Sequence, residues 1–290
     1  MLIDMKKMLL FFLLISSVAA KCQKFTDLKM RRVFAQAMEF ALIEATAYRG
    51  RQTFVPDTTV HHNIQGAFPI HDGDYYKLVY WKDSAAPVAC GTVTFNRDVS
   101  SKSAVVDTAL RPLKPEEVRI VKMYQGVIQD VKNDKTILET DNAHILGIPI
   151  NTAWGRKFYI VWRPNDWRSL LFGNDYEYTF NARDEIVSKI KMHKKVYLYH
   201  MESLDSTRME KPLFGAGFHE HGKEEALGTL IADIGGMIYN NIFFRWKSFV
   251  LSDKDNVYVT DMGTLQLHLY TRRQFKKNKT AVPIRDKEGQ

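Results

Sequence analysis

Cysteine is scarce in this 290-residue chain, which has only Cys22 and Cys90. Two cysteines cannot build a disulfide scaffold, so a hydrophobic core has to hold the fold. Signatures for serine and cysteine nucleophiles are missing. The chain contains no Gly-x-Ser-x-Gly and no phosphate-binding glycine loop. It also lacks an internal repeat, a low-complexity tract and a nucleic-acid recognition motif. Beyond residue 20 no long apolar run is free of charges, so the mature chain is expected to be soluble, with no transmembrane span.

What is present is the material for a core. Hydrophobic residues make up 45% of the chain and charged residues 26%, ordinary values for a globular protein. The N-terminus has the three-part order of a secretory signal peptide. Lys6 and Lys7 are followed by an apolar run from Met8 to Ile15, and Val18-Ala19-Ala20 supplies small residues before a cleavage point after Ala20. We therefore expect an exported protein, periplasmic or extracellular. Lipid anchoring through Cys22 is the lesser alternative, because Lys21 stands where a small residue normally precedes a lipidated cysteine. If Cys22 is not lipidated, it can pair with Cys90, provided the two Cα atoms lie within about 7 Å. The net charge is +8, and removing the signal segment leaves +7. Such a balance favours acidic surfaces or polysaccharides.

Periodicity gives the outline. Residues 28–48 repeat apolar side chains at three- and four-residue steps, and Glu44 is the only polar residue in the stripe. Residues 51–74 read as a loop. Strands are expected at 75–81 and 88–96. Pro115 followed by Glu116 and Glu117 marks a second helix, ending at Asn133-Asp134. Strands follow at 158–162, 176–180 and 196–199, rich in aromatic and β-branched residues. A third helix is expected over 227–244, then a hairpin through Asp253–Asn256. The expected class is α+β, with a mostly antiparallel sheet and three main helices. The divisions are 1–20 (signal peptide), 21–112 (helix plus strands), 113–271 (α+β) and 272–290 (polar tail).

The most informative stretch is Gly215-Ala216-Gly217-Phe218-His219-Glu220-His221, which leads into the helix carrying Asp233. On a strand, His219 and His221 share one face. Two imidazoles and a carboxylate leave a fourth position for water, the arrangement of a catalytic zinc. His-x-His on a strand followed by an Asp on a helix resembles the JAMM-type metallopeptidases. That resemblance implies zinc held by His219, His221 and Asp233 in a peptidase or isopeptidase, with an upstream glutamate as general base. Glu177 fits best by distance, and Glu202 is another candidate. Gly222 stands in place of the family's proline and Leu230 in place of its serine. The spacing to Asp233 is one residue longer than the family's. Residues 171–176, with Lys191-Met192-His193-Lys194 and the later histidine pair, are also similar to a group of exported bacterial proteins to which no activity is attached.

Other histidines read as ordinary residues. His61, His62 and His71 with Asp72 and Asp74 form either a second metal cluster or, first, a polar loop. His193 and His200 flank a strand and read as surface positions. Trp154, Trp162 and Trp167 near Arg156, Arg163 and Arg168 suit stacking on sugars or peptides, or the core and rim of a sheet. Two classes follow: a zinc-dependent hydrolase acting on a peptide or protein, and a non-catalytic secreted or envelope-associated binding protein with a degenerate site.

Overall fold

The computed structural model describes residues 5–54, 64–82, 86–135, 137, 142–152, 155–166, 169–193, 196–200, 216–220, 227–244 and 247–277. Backbone alone is described for 5–27 and for a few later positions, His219 among them.

Helix α1 (Met5–Thr53) is followed by β1 (Ile64–Asp72), β2 (Tyr75–Lys82) and β3 (Val88–Phe95). After a 3-10 turn come β4 (Val105–Asp107), β5 (Arg111–Pro112) and α2 (Pro115–Asn133). The middle of the chain supplies β6 (Ala143–Thr152), β7 (Gly155–Pro164), β8 (Ser169–Phe172), β9 (Tyr176–Phe180), β10 (Ile186–Lys191) and β11 (Tyr197–His200). Then come β12 (Ala216–Glu220), α3 (Leu227–Phe244), β13 (Ser248–Ser252), β14 (Asn256–Asp261), β15 (Gln266–Thr271) and α4 (Arg272–Lys277). The class is α+β. Among the described residues pairing is antiparallel except between β12 and β13, which run parallel on either side of α3. Among the described residues, no helix is long and apolar enough to cross a membrane.

Two sheets organise the core. One has the order β1-β2-β3-β4 with β5 on β3, and the other has the order β10-β9-β7-β6. Central strands of both are buried on both faces, and alternate residues divide between two clusters. Leu78 and Tyr80 of β2 and Tyr159 and Val161 of β7 join the cluster built on α1 and α3. Val79 and Trp81 of β2 and Phe158 and Ile160 of β7 join the cluster built on α2. That division is the period-two rule applied to strands covered on both sides. Regions 21–112 and 113–271 both contribute to each cluster.

The strand β1 corrects the loop expected over 51–74. Phe68, Pro69 and Ile70 are all buried, and Pro69 sits opposite Leu78. A proline is tolerated there because β1 is an edge strand, where a missing N–H need not break a ladder. Helix α1 also passes Gly50 and ends at Thr53. At that point Gly50 packs on β2, and a Cβ on it would lie 2.6 Å from Leu78 Cδ2.

The stripe of α1 buries Val33, Ala37, Phe40 and Ile43. Helix α3 meets it through Gly235, where a Cβ would stand 2.8 Å from the Ala37 carbonyl oxygen and 2.7 Å from Phe40 Cδ1. This contact generates a paired prediction. Gly235→Ala should destabilise the protein by about 1–3 kcal/mol, because the facing atom is backbone and cannot yield. Gly126→Ala, on an exposed position of α2 with nothing within 4 Å, should be neutral or stabilising by up to about 1 kcal/mol. Urea unfolding of the two variants checks both, and equal effects would refute the close helix approach.

Candidate functional site

The residues singled out in the sequence fall in different surroundings. The strand that the histidine pairing requires is present around His219 as β12, with His219 opposite Leu251 of β13. His221 and Glu202 lie outside the described residues, as do His61 and His62. Asp233 is on α3 and is 3% exposed. Its carboxylate is engaged by His193: Nε2 stands 3.1 Å from Oδ1 and 3.3 Å from Oδ2. Glu177 on β9 is also buried and pairs with Lys157 Nζ at 2.6 Å. Its cross-strand neighbour is Tyr159, whose hydroxyl pKa is raised well above its ordinary value by burial first and then by Glu177. His71 pairs with Glu39 at 3.0 Å and stacks on Tyr76, while Asp72 holds Lys77 and Lys114 and Asp74 holds Arg97. Trp162 is a core residue edge-on to Tyr176, and Arg156 pairs with Asp184. Cys90 is a free, buried thiol whose pKa burial pushes up. Among the described residues no group of three His, Cys, Asp or Glu side chains is arranged to hold a metal ion.

His193 is the correction of most consequence, because it is 3% exposed and not a surface residue. Strand register puts it in the core. Lys191 of β10 lies opposite Tyr176 of β9, so the next residue, Met192, donates its N–H to the Asp175 carbonyl at 2.9 Å. His193 follows, with Nδ1 3.8 Å from Asp175 Oδ2. A turn with positive φ at Gly173 (95°) and Asn174 (59°) delivers Asp175 to this place, residue types that tolerate the left-handed region. From the other side, Thr229 of α3 donates to the Met192 carbonyl at 2.9 Å, which fixes the helix that carries Asp233.

A second buried pair stands beside this trio. Arg163 on β7 grips Glu44 of α1 with two nitrogens, Nε to Oε1 and Nη2 to Oε2 at 3.0 Å. Burial works against the guanidinium charge, but Glu44 outweighs it, and the Arg163 pKa is raised. Asp175 behaves differently. Burial pushes its pKa up to about 7, against the lowering effects of Arg163, His193 and an N–H donated by Trp162. The core therefore holds Glu44, Asp175 and Asp233 against Arg163 and His193. Both ring nitrogens of His193 face carboxylates, and the side chain is buried. The arrangement places ionisable groups in mutual contact in a dry interior, where each contact is strengthened.

Open space lies on the outer side of the Glu44–Arg163 pair. A cavity of about 290 Å³ is bounded by α1, β6, β7, the start of β8 and α3. Glu44 and Arg163 form part of its wall, with Tyr48, Arg51, Gln52, His144, Asn165, Ser169, Tyr239 and Asn240, and Ala47, Leu146 and Pro164 supply apolar surface. Tyr48 and Tyr239 meet edge to face, with ring centroids 6.1 Å apart. His144 Nδ1 lies 3.0 Å from Asn165 Oδ1, and burial lowers the His144 pKa despite that bond. Apolar walls with a few convergent polar groups are the usual composition of a small-molecule site. Sequence signals for it were Glu44, alone in an apolar stripe, and the arginine of Trp162-Arg163.

No family model, curated protein or solved structure matches this chain.

The buried carboxylic acid generates a pH prediction. In the unfolded chain Asp175 loses its proton near its ordinary value of 3.8, whereas in the fold it keeps it to about pH 7. The folded state therefore holds more protons between those limits, and stability falls as pH rises through that window. Asp175→Asn removes this dependence, whose ceiling is about 4 kcal/mol. Urea unfolding at pH 4.5 and pH 8 should show the parent losing stability relative to Asp175→Asn. A difference that stays constant with pH would mean that Asp175 is ionised in the fold throughout.

Proposed function

We propose that this chain is an exported, non-catalytic binding protein whose ligand occupies the cavity between α1, β6, β7 and α3. Export rests on the N-terminal order of Lys6-Lys7, apolar run and Val18-Ala19-Ala20. One observation carries the binding reading. The acidic groups that a JAMM-type hydrolase would draw on, Asp233 and Glu177, are buried against His193 and Lys157, while the open cavity presents a different set of side chains. That set has what recognition needs: aromatic edges, amides, and charged groups held in place by a buried ion pair.

Ligand-observed NMR with a panel of small organic fragments tests this reading. Fragments should bind to the parent and be displaced in Ala47→Met, which fills the cavity from the α1 side, while circular dichroism of that variant stays unchanged. A saturating fragment should also stabilise the parent, by about 2.7 kcal/mol at one hundred times its Kd. A panel without binders, or binding untouched by Ala47→Met, would refute the cavity as the ligand site.

A second reading is a zinc centre on His219, His221 and Asp233. It draws support from strand β12 leading into helix α3, the order the resemblance requires. Carboxylate ligands of metals are commonly hydrogen-bonded from behind, a role His193 would take toward Asp233. In this reading the mature protein carries near-stoichiometric zinc on elemental analysis, and His219→Ala and His221→Ala lose it. A parent that binds no zinc even when it is supplied would eliminate the hydrolase.

A further inference from the structure

We propose that the cavity on α1 selects a small organic monocarboxylate, an acid with one carboxylate on an apolar or aromatic body, through Arg51. The inference rests on the cavity being the ligand site and adds the chemistry of what fills it.

Three observations carry it. The first is the charge balance of the wall. Arg163 and Glu44 cancel in a two-point ion pair. Among the described residues no carboxylate pairs with Arg51, so the described wall has a surplus of one positive charge. Arg51 stands in the last turn of α1, exposed, and its charge is felt at His144 across the cavity. The planar fork of a guanidinium matches a carboxylate in two-point geometry.

The second observation concerns hydrogen bonding. His144 Nδ1 meets the acceptor oxygen of Asn165, so a neutral imidazole holds its proton on Nδ1 and keeps Nε2 as an acceptor. Among the described lining residues a second anionic group on the ligand would find no further cation, because Arg163 is already committed to Glu44. The third is the remaining surface. Ala47, Leu146, Pro164 and the edge-to-face tyrosines suit an apolar body, and a cavity of about 290 Å³ limits it to a small one.

Isothermal titration with four probes tests the inference: benzoate and hexanoate, and their neutral amides benzamide and hexanamide. Each acid should bind the parent at least tenfold more tightly than its amide. Arg51→Gln should weaken the acids at least tenfold and leave the amides within twofold, and Arg51→Lys should restore part of the preference. Raising salt should weaken the acids alone. Amides that bind as tightly as acids, or an acid preference that survives Arg51→Gln, would overturn the inference while leaving the cavity as a ligand site. Failure of all four probes in a protein that binds other neutral fragments overturns it as well. Failure of every probe and fragment overturns both readings together.

Discussion

The pairing of Glu44 with Arg163 is the interaction on which the rest of this structure depends. Glu44 is 1% exposed on a helix whose inward face is otherwise apolar but for Thr46, and an uncompensated charge there would be prohibitive. Arg163 answers it from β7, 119 residues away in the chain. Removing one partner of such a buried pair typically costs about 3–5 kcal/mol, because the other is left without compensation. Space for the guanidinium comes from Gly236 of α3, where a Cβ would lie 3.2 Å from Arg163 Nη2. Adjacent Gly235 lets the same helix close on Ala37 and Phe40. One ion pair and two small residues thus bring α1, β7 and α3 to a common point, and the cavity is what remains beside it.

Inward from that point, the charges continue as a series. Arg163 acts on Asp175, Asp175 faces one nitrogen of His193, and the other nitrogen meets Asp233. In this series Asp175 is the carboxyl whose pKa burial pushes up, to about 7. Charge in a dry interior strengthens each contact and also fixes the register of the pieces that bear it. Here those pieces are a strand end, a turn with two left-handed residues and a helix.

Much of the framework was legible in the amino-acid sequence. Pro115 with its two glutamates gave α2, the apolar run gave α3 over its full length, and Asp253–Asn256 gave the turn between β13 and β14. The strand over 218–221 entered only as the condition for His219 and His221 to share a face, and β12 supplies it over Ala216–Glu220. Strand β1 was not, because Pro69 and flanking polar residues look like a loop until the strand is known to lie at an edge. His193 was hidden for a related reason. Its neighbours Lys191, Lys194 and Lys195 announce a wet surface, and only the register of β10 on β9 turns it inward. The informative sign was the lone polar residue in each apolar stripe. Glu44 and Asp233 both stood out this way, and each needed a partner that periodicity could not name, since Arg163 and His193 come from strands far along the chain.

Cys90 sits on β3 with 1% of its surface exposed, its thiol enclosed by the same cluster that α1 and α3 cover. A sulfur enclosed in this way has no chemistry of its own in the closed protein, since an oxidant or alkylating agent cannot reach it and its thiolate is disfavoured. It reacts only as often as the core around it opens. Residue 90 is therefore a clock set inside the fold, and its rate of modification counts the moments at which the first helix parts from the sheet beneath it.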